Sequence, residues 1–358
     1  MKLILSIALL MLLFSGCAQQ NEADPIKDAS VVPGNSGTED PYASVVPESI
    51  NSDDDYWEYV RANDIAITSS GWGTPKLLSL SSPGWEEGNY ISADGKTFFY
   101  IYTTADVFKF LLSGELKEPG SKLDNNNQCT HPQNPNPHTC GKWPRADLFY
   151  SEKIGSDWSA PKPHPITLDG PVGGITLVGE NKAYFMSGFE DDVEDIGYAE
   201  RENGVWGKKV KIESVSSGYS DSDPYVNSED NEMFFWSNRP AQFKGNNIYR
   251  SVKENGEWQA PELLSAPINS DSDDMQTFIF GEDLYFSSGG EPGGKMRIFK
   301  SKRLGENQWG EPELVISSKF AVGEPSITSD GKILYFEQIF ADGKGNFNPD
   351  LMYVERAE

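Results

Sequence analysis

Carboxylates supply most of the chemistry open to this sequence. Glu86, Glu87, Asp221, Asp223, Asp273, Asp274 and Glu324 all stand shortly before aromatic runs such as "EMFFWSN" (232–238) and "KILYFEQ" (332–338). Aligning those runs brings Gly88, Gly173, Asp223, Asp274 and Glu324 to equivalent places, with Glu86, Glu87, Asp221 and Asp273 beside them. Hard divalent cations want several converging oxygen ligands, so Asp221, Asp223, Asp273, Asp274 and Glu324 are candidate calcium ligands. Two carboxyl groups about 5 to 9 Å apart across a sugar could instead hydrolyse a glycosidic bond, and the candidates are Glu86, Glu87, Asp223, Asp274 and Glu324. The favoured use is structural, because Asp in Ser-Asp and Asp-Pro contexts binds the backbone N–H groups of its own turn. Apart from that possible calcium, no cofactor is expected.

A second constellation lies in "CTHPQNPNPHTC" (129–140). Cys129, His131, His138 and Cys140 could bind zinc tetrahedrally, but the Pro- and Asn-rich spacer fits no familiar zinc spacing. A disulfide between Cys129 and Cys140 is the favoured reading for an exported chain, and closing such a loop would stabilise by about 3 kcal/mol in the chain-entropy model. His131 and His138 remain candidate ligand contacts, as do Trp85, Trp143, Tyr219 and Arg239; Trp236, inside an aromatic strand, suits the core at least as well. Other apparent motifs fail on inspection. "GGEPGGKM" (289–296) has Met296 where a phosphate loop needs Ser or Thr, and "ADGKGNFNPD" (341–350) has Lys344 at a calcium-ligand position. With three His in the chain and no serine elbow, paired-His helix or dinucleotide fingerprint, nucleophilic and nucleotide chemistry have little support.

The elements that must position these residues come from a repeat. "GWGTPKLL", "DWSAPKPH", "VWGKKVKI", "EWQAPELL" and "QWGEPELV" recur, each followed by a polar turn, an aromatic strand, a loop and a third strand such as "NNIYRS" (246–251). Trp158, Trp206, Trp258 and Trp309 are 48, 52 and 51 residues apart, the period of a four-stranded propeller blade. Trp72 lies 86 residues before Trp158, which leaves an insertion at about 103–146 in the first blade. Five periods predict an all-β, five-bladed propeller. The chain begins on a Trp unit and ends on a third strand, so its two ends should pair and close the ring. Each Trp unit is expected to be an outer strand whose Trp packs between blades. The carboxylates would then share one face, at the channel mouth, with the insertion projecting over it.

Before the repeats, "MKLILSIALLMLLFSGC" reads as a signal peptide (1–17). Residues 18–55 are too poor in apolar side chains to fold and read as a tether, leaving 56–358 as the propeller. The small pair before Cys17 resembles a bacterial lipobox, which implies lipidation at Cys17 and, with Ala18 following, the outer rather than the inner membrane. A net charge of -25, from 55 acidic and 30 basic residues, argues against nucleic acid and against membrane contact other than through the anchor.

"SDSDPYVNSEDNEMFFWSNRP" (220–240) and "GEPSITSDGKILYFEQ" (323–338) resemble the WD40-like propeller repeat, or PD40 repeat, found in TolB and many bacterial envelope proteins. Blade two departs from it with "GGITLVGENKAYF", and blade four with "DMQ". The resemblance implies the fold more firmly than any activity. The expected function is a monomeric envelope lipoprotein that binds a partner protein or an extended ligand such as a glycan on its channel-side face, without catalysis. The competing expectation is a carbohydrate-active hydrolase.

Overall fold

A computed structural model describes residues 53–82, 85–103, 122–123, 128–130, 138–139, 147–166, 172–189, 194–341 and 347–357. Cys17, His131, Cys140 and Trp143, the signal segment and the tether up to residue 52 lie outside them. Short runs dense in aromatic and β-branched residues, bounded by tight turns, form antiparallel strands. They assemble into five blades around a channel. The inner strands are Trp85–Ile91, Gly173–Val178, Asp221–Val226, Asp274–Phe280 and Ala321–Ile327; each pairs with a second strand, and that with a third. The outer strands are short, as Lys162–Pro163, Val210–Lys211 and Glu262–Leu263 illustrate.

Ring closure follows the expected head-to-tail route. Lys76–Leu77 is the outer strand of blade five, pairing Lys76 with Tyr353 and Leu77 with Met352, and Trp72 bridges to Arg356. A second clasp, Ile67–Thr68, pairs with Ser317 and Ile316 on the outer edge of blade four. The segment ahead of the first strand thus ties two blades together and leaves little open edge.

The repeated Trp sits one step from where the sequence reading placed it. Trp158, Trp206, Trp258 and Trp309 lie in two-residue ladders at the tip between third and outer strands, rather than in the outer strands themselves. Each reaches the preceding blade: Trp158 packs on Tyr335, Trp206 on His164, Trp258 on Tyr184 and Trp309 on Phe234. A third-strand cation covers the other ring face in four repeats, with Lys153, Lys253, Arg303 and Arg356 at 4.4, 4.6, 4.8 and 4.6 Å from the rings of Trp158, Trp258, Trp309 and Trp72. Each such pair contributes on the order of 1 kcal/mol beyond the buried area. The five Trp units are therefore blade-to-blade fasteners.

One element had no clear sequence signal. Asp53–Asn63 is a helix that begins within the segment read as tether. Trp57 and Val60 rest on the core between blades four and five, and Arg61 donates to both oxygens of the buried Asp350 at 2.7 and 2.8 Å. In the insertion, Lys122–Leu123, Gln128–Thr130 and His138–Thr139 form a small three-stranded sheet that sets Cys129 opposite His138 in register.

Candidate functional site

Every inner strand carries an extra residue at the same level. The register slips between Glu87 and Tyr90, Gly173 and Thr176, Ser222 and Tyr225, Met275 and Phe278, and Gly323 and Ser326. At the five bulges Gly88, Gly174, Asp223, Gln276 and Glu324 take left-handed φ values of 63, 53, 49, 52 and 59°. These, not Gly173 and Asp274, are the equivalent channel positions; Gly88, Asp223 and Glu324 were placed correctly. The correction has a plain cause. The pairs just past the bulge, Tyr90–Phe99, Tyr225–Phe234 and Ser326–Tyr335, enclose a longer hairpin than Thr176–Tyr184 in blade two and Phe278–Tyr285 in blade four, so counting back a constant distance from the second strand lands one residue early in blade two and two early in blade four.

Asp223 and Glu324 face the channel from blades three and five. Trp236 Nε1 donates to Asp223 Oδ2 at 2.6 Å, while Gln276 Nε2 and the Asn89 backbone N–H donate to the two oxygens of Glu324 at 2.9 and 3.1 Å. The Asn89 amide returns a bond to the Glu324 carbonyl at 2.8 Å. Both carboxyls keep some surface on the central void, yet protein surrounds them. That enclosure raises both above the ordinary carboxylate range, and the charge of Asp223 adds to the rise at Glu324.

The remaining candidates divide by position. Glu86, Asp221 and Asp274 are fully buried and brace the loops leading into their strands. Asp221 accepts from Ser217 N and Oγ at 2.6 and 2.8 Å, Asp274 from Ser270 N and Oγ at 2.6 and 2.9 Å, and Glu86 from Ser82 N at 3.0 Å and from Ser82 Oγ. A Ser four residues ahead of the acid recurs in all three, which is the turn-capping role favoured from sequence. Asp273 accepts the Asn246 N–H at 2.9 Å, and burial lifts Asp273 and Asp274 to about 6. Arg239, a ligand-contact candidate, is committed to Asp221 and the Val215 carbonyl and lies over the Tyr249 ring at 4.9 Å.

Trp85, expected at an exposed position, is buried. With Trp236, Met275, Met296, Ala321 and Ile339 it forms an apolar cluster that spans blades one, three, four and five above the bulge ring. An indole that opens an inner strand packs here against the neighbouring blades rather than solvent. Tyr219, in contrast, is 46% exposed on the loop before the inner strand of blade three. Sequence reading also missed Glu337, which lies in the second strand of blade five and is 3% exposed. The signal was an acid inside the apolar run "KILYFEQ". At the level of the bulges the channel holds a void of about 50 Å³ lined by residues such as Asn89, Tyr90, Asp223, Tyr225, Phe278 and Glu324. Such a space holds a water or two and no sugar. Among the described residues, no three His, Cys, Asp or Glu side chains converge as a metal-ligand set.

Several solved structures match the chain at low sequence identity. The chain is similar to TolB. TolB from Acinetobacter baumannii matches at 14% identity with a TM-score of 0.36, covering 74% of this chain and 64% of TolB, so this chain spans less than two thirds of that relative. β-1,2-Mannobiose phosphorylase from Listeria innocua matches at 7% identity and TM-score 0.46, covering 79% and 90% of the two chains. The NanB sialidase of Streptococcus pneumoniae matches at 9% identity and TM-score 0.40, covering 78% and 57%. No family model and no curated protein matches the sequence.

Proposed function

We propose that this protein is a non-catalytic binding module of the cell envelope, exported and anchored through Cys17 to the outer membrane, that holds a partner protein or an extended glycan on the face carrying the insertion. One observation carries the reading. Of the carboxylates that could have cleaved a sugar, Glu86 and Asp274 are fully buried, while Asp223 and Glu324 border a central void of only about 50 Å³. Hydrolysis needs both carboxyls to reach one glycosidic oxygen and its carbon, with room for water; here protein donors already occupy Asp223 and Glu324. Binding needs only an exposed, rigidly held surface, and loops on a propeller frame supply one. Tyr219, with His131, His138 and Trp143 in the insertion, are the proposed contacts, and the ligand is met by a monomer.

The test separates binding from chemistry. Purified mature protein is screened on a glycan array, and a photo-crosslinking residue is placed at Tyr219 or, on the opposite face, at Ile154 in cells making the full chain. Glycan retention or a discrete crosslinked product from position 219 alone supports the proposal. Release of oligosaccharide from any bound polysaccharide, lost in Asp223→Asn, overturns it in favour of a hydrolase.

A further inference from the structure

The five blade junctions can be compared at one level, where the residue before each bulge meets the second strand of the preceding blade. Ser222 Oγ donates to Met186 Sδ at 2.6 Å; Met275 and Trp236 share one apolar cluster; a Cβ on Gly173 would stand 2.5 Å from Ile101, and one on Gly323 would stand 3.1 Å from Ser287 Oγ. Every one of these four pairs is apolar or uncharged. At the fifth junction, where blade five meets blade one and the ring closes, the equivalent residues are Glu337 and Glu87. Strand alternation agrees: Tyr335, two residues before Glu337, packs on Phe98 of blade one, and Ile339, two residues after it, joins the cluster of Trp85.

Both acids are nearly shut off from solvent, with Glu337 3% and Glu87 5% exposed, and Glu337 Oε1 is buried without a hydrogen-bond partner. The other charges facing them are mostly acidic. Glu324 on the inner strand of blade five acts on Glu337 most strongly, then Glu87 and Glu86 of blade one and Asp223 across the channel. Arg61, which is paired with Asp350, also lowers Glu86. Desolvation, followed by the charge of Glu324, pushes both Glu87 and Glu337 well above the ordinary glutamate value of 4.5; Glu87 adds to the rise at Glu337, and a hydrogen bond from Trp85 opposes the rise at Glu87. Two ionised carboxylates facing each other in such surroundings would repel strongly.

We propose that the closing junction is a proton-dependent latch, in which Glu87 and Glu337 hold blades one and five together while uncharged, and loss of their protons to solvent loosens the closing blade. The unfolded chain ionises these acids near 4.5 while the folded chain keeps them neutral. Folded protein therefore binds more protons, and stability falls as pH rises from that value until the folded acids ionise. Asp273 and Asp274, at about 6, have finished titrating by pH 7, and buried His164, lowered to about 4, is neutral throughout. Glu324, pushed up to about 8, and Glu86, raised well above its ordinary value, contribute to a decline between pH 7 and 9 as well, so the share that belongs to the latch is the part removed by substitution at Glu337.

The experiment is thermal unfolding of the purified mature protein at pH 7 and 9, with amide hydrogen exchange normalised to the junction of blades two and three. Wild type is expected to lose about 5 to 10 °C over that interval, with faster exchange confined to Lys76–Leu77, Trp85–Ile91 and Phe347–Glu355. Glu337→Gln should retain at least half of the lost stability. If that variant fails to fold, the double change Glu87→Ser with Glu337→Met, copying Ser222 and Met186, takes its place with the same expectation. A flat wild-type profile, or an equal decline in the variants, overturns the latch. So does recovery of the wild-type value at pH 9 on adding calcium alone, which would make the cluster a cation site.

Discussion

At the scale of single residues, conformation and enclosure matter more than chemical identity. Gly174 occupies the bulge of blade two at φ 53°, and a Cβ there would stand 2.4 Å from Asp223 Oδ1 and 2.7 Å from Asp223 Cα. Glycine is required by the contact with the Asp223 backbone, because the same dihedral is carried by Asp223, Gln276 and Glu324 at the other bulges. Gly174→Ala is expected to cost about 2 to 4 kcal/mol, read as a lowered urea midpoint with an unchanged slope. An unaltered midpoint would show that the bulge ring can relax. Bulges at Gln276 and Glu324 gave no such signal in the sequence, since neither residue type advertises a left-handed backbone. Register was nevertheless legible where the following hairpin has the common length, as at Asp223 and Glu324, and lost in blade four, where the shorter hairpin hid Gln276; Asn89 and Glu337 emerged from the fold.

At the scale of elements, the helix Asp53–Asn63 is held by an ion pair whose two ends differ in exposure. The side chain of Asp350 is fully buried and that of Arg61 is 21% exposed. Burial raises Asp350 above the ordinary range even against the guanidinium, so removing Arg61 leaves an acid that must either protonate or stay unpaired. Arg61→Ala should therefore destabilise by about 3 kcal/mol at pH 8 and by less at pH 5. Adding Asp350→Asn should recover most of the loss in chemical denaturation; no recovery would mean that the helix is held mainly by Trp57 and Val60. The helix escaped sequence reading because its apolar residues are few and it stops after 11 residues, too short for periodicity to separate it from a polar tether.

At the scale of the whole molecule, stability depends on a ring that the first described strands complete. Lys76–Leu77 closes blade five and Ile67–Thr68 overlaps blade four. Deleting residues 1–78 removes both clasps and is expected to abolish a single cooperative unfolding transition in calorimetry, because blade five would expose its apolar face. A truncated protein that melts like the full chain would mean that the other junctions hold the ring unaided.

The sequence by itself determined the blade count, the circular closure and the inter-blade role of the Trp units. Periodicity and strand phase survive in one dimension, because each blade repeats the same alternation of aromatic strand and polar turn. Turn capping by the Asp residues was also favoured from their Ser-Asp and Asp-Pro contexts, which are local patterns, while the Ser four residues ahead that donates to Asp221 and to Asp274 emerged from the fold. Tertiary structure alone decided that Trp85 and Trp236 join one buried inter-blade cluster, that Asp223 and Glu324 bind protein donors, and that Glu87 meets Glu337 at the closing junction. Those pairings join residues from blades remote in sequence, and their protonation depends on how much protein surrounds them, a property of the assembled ring that no stretch of chain carries alone.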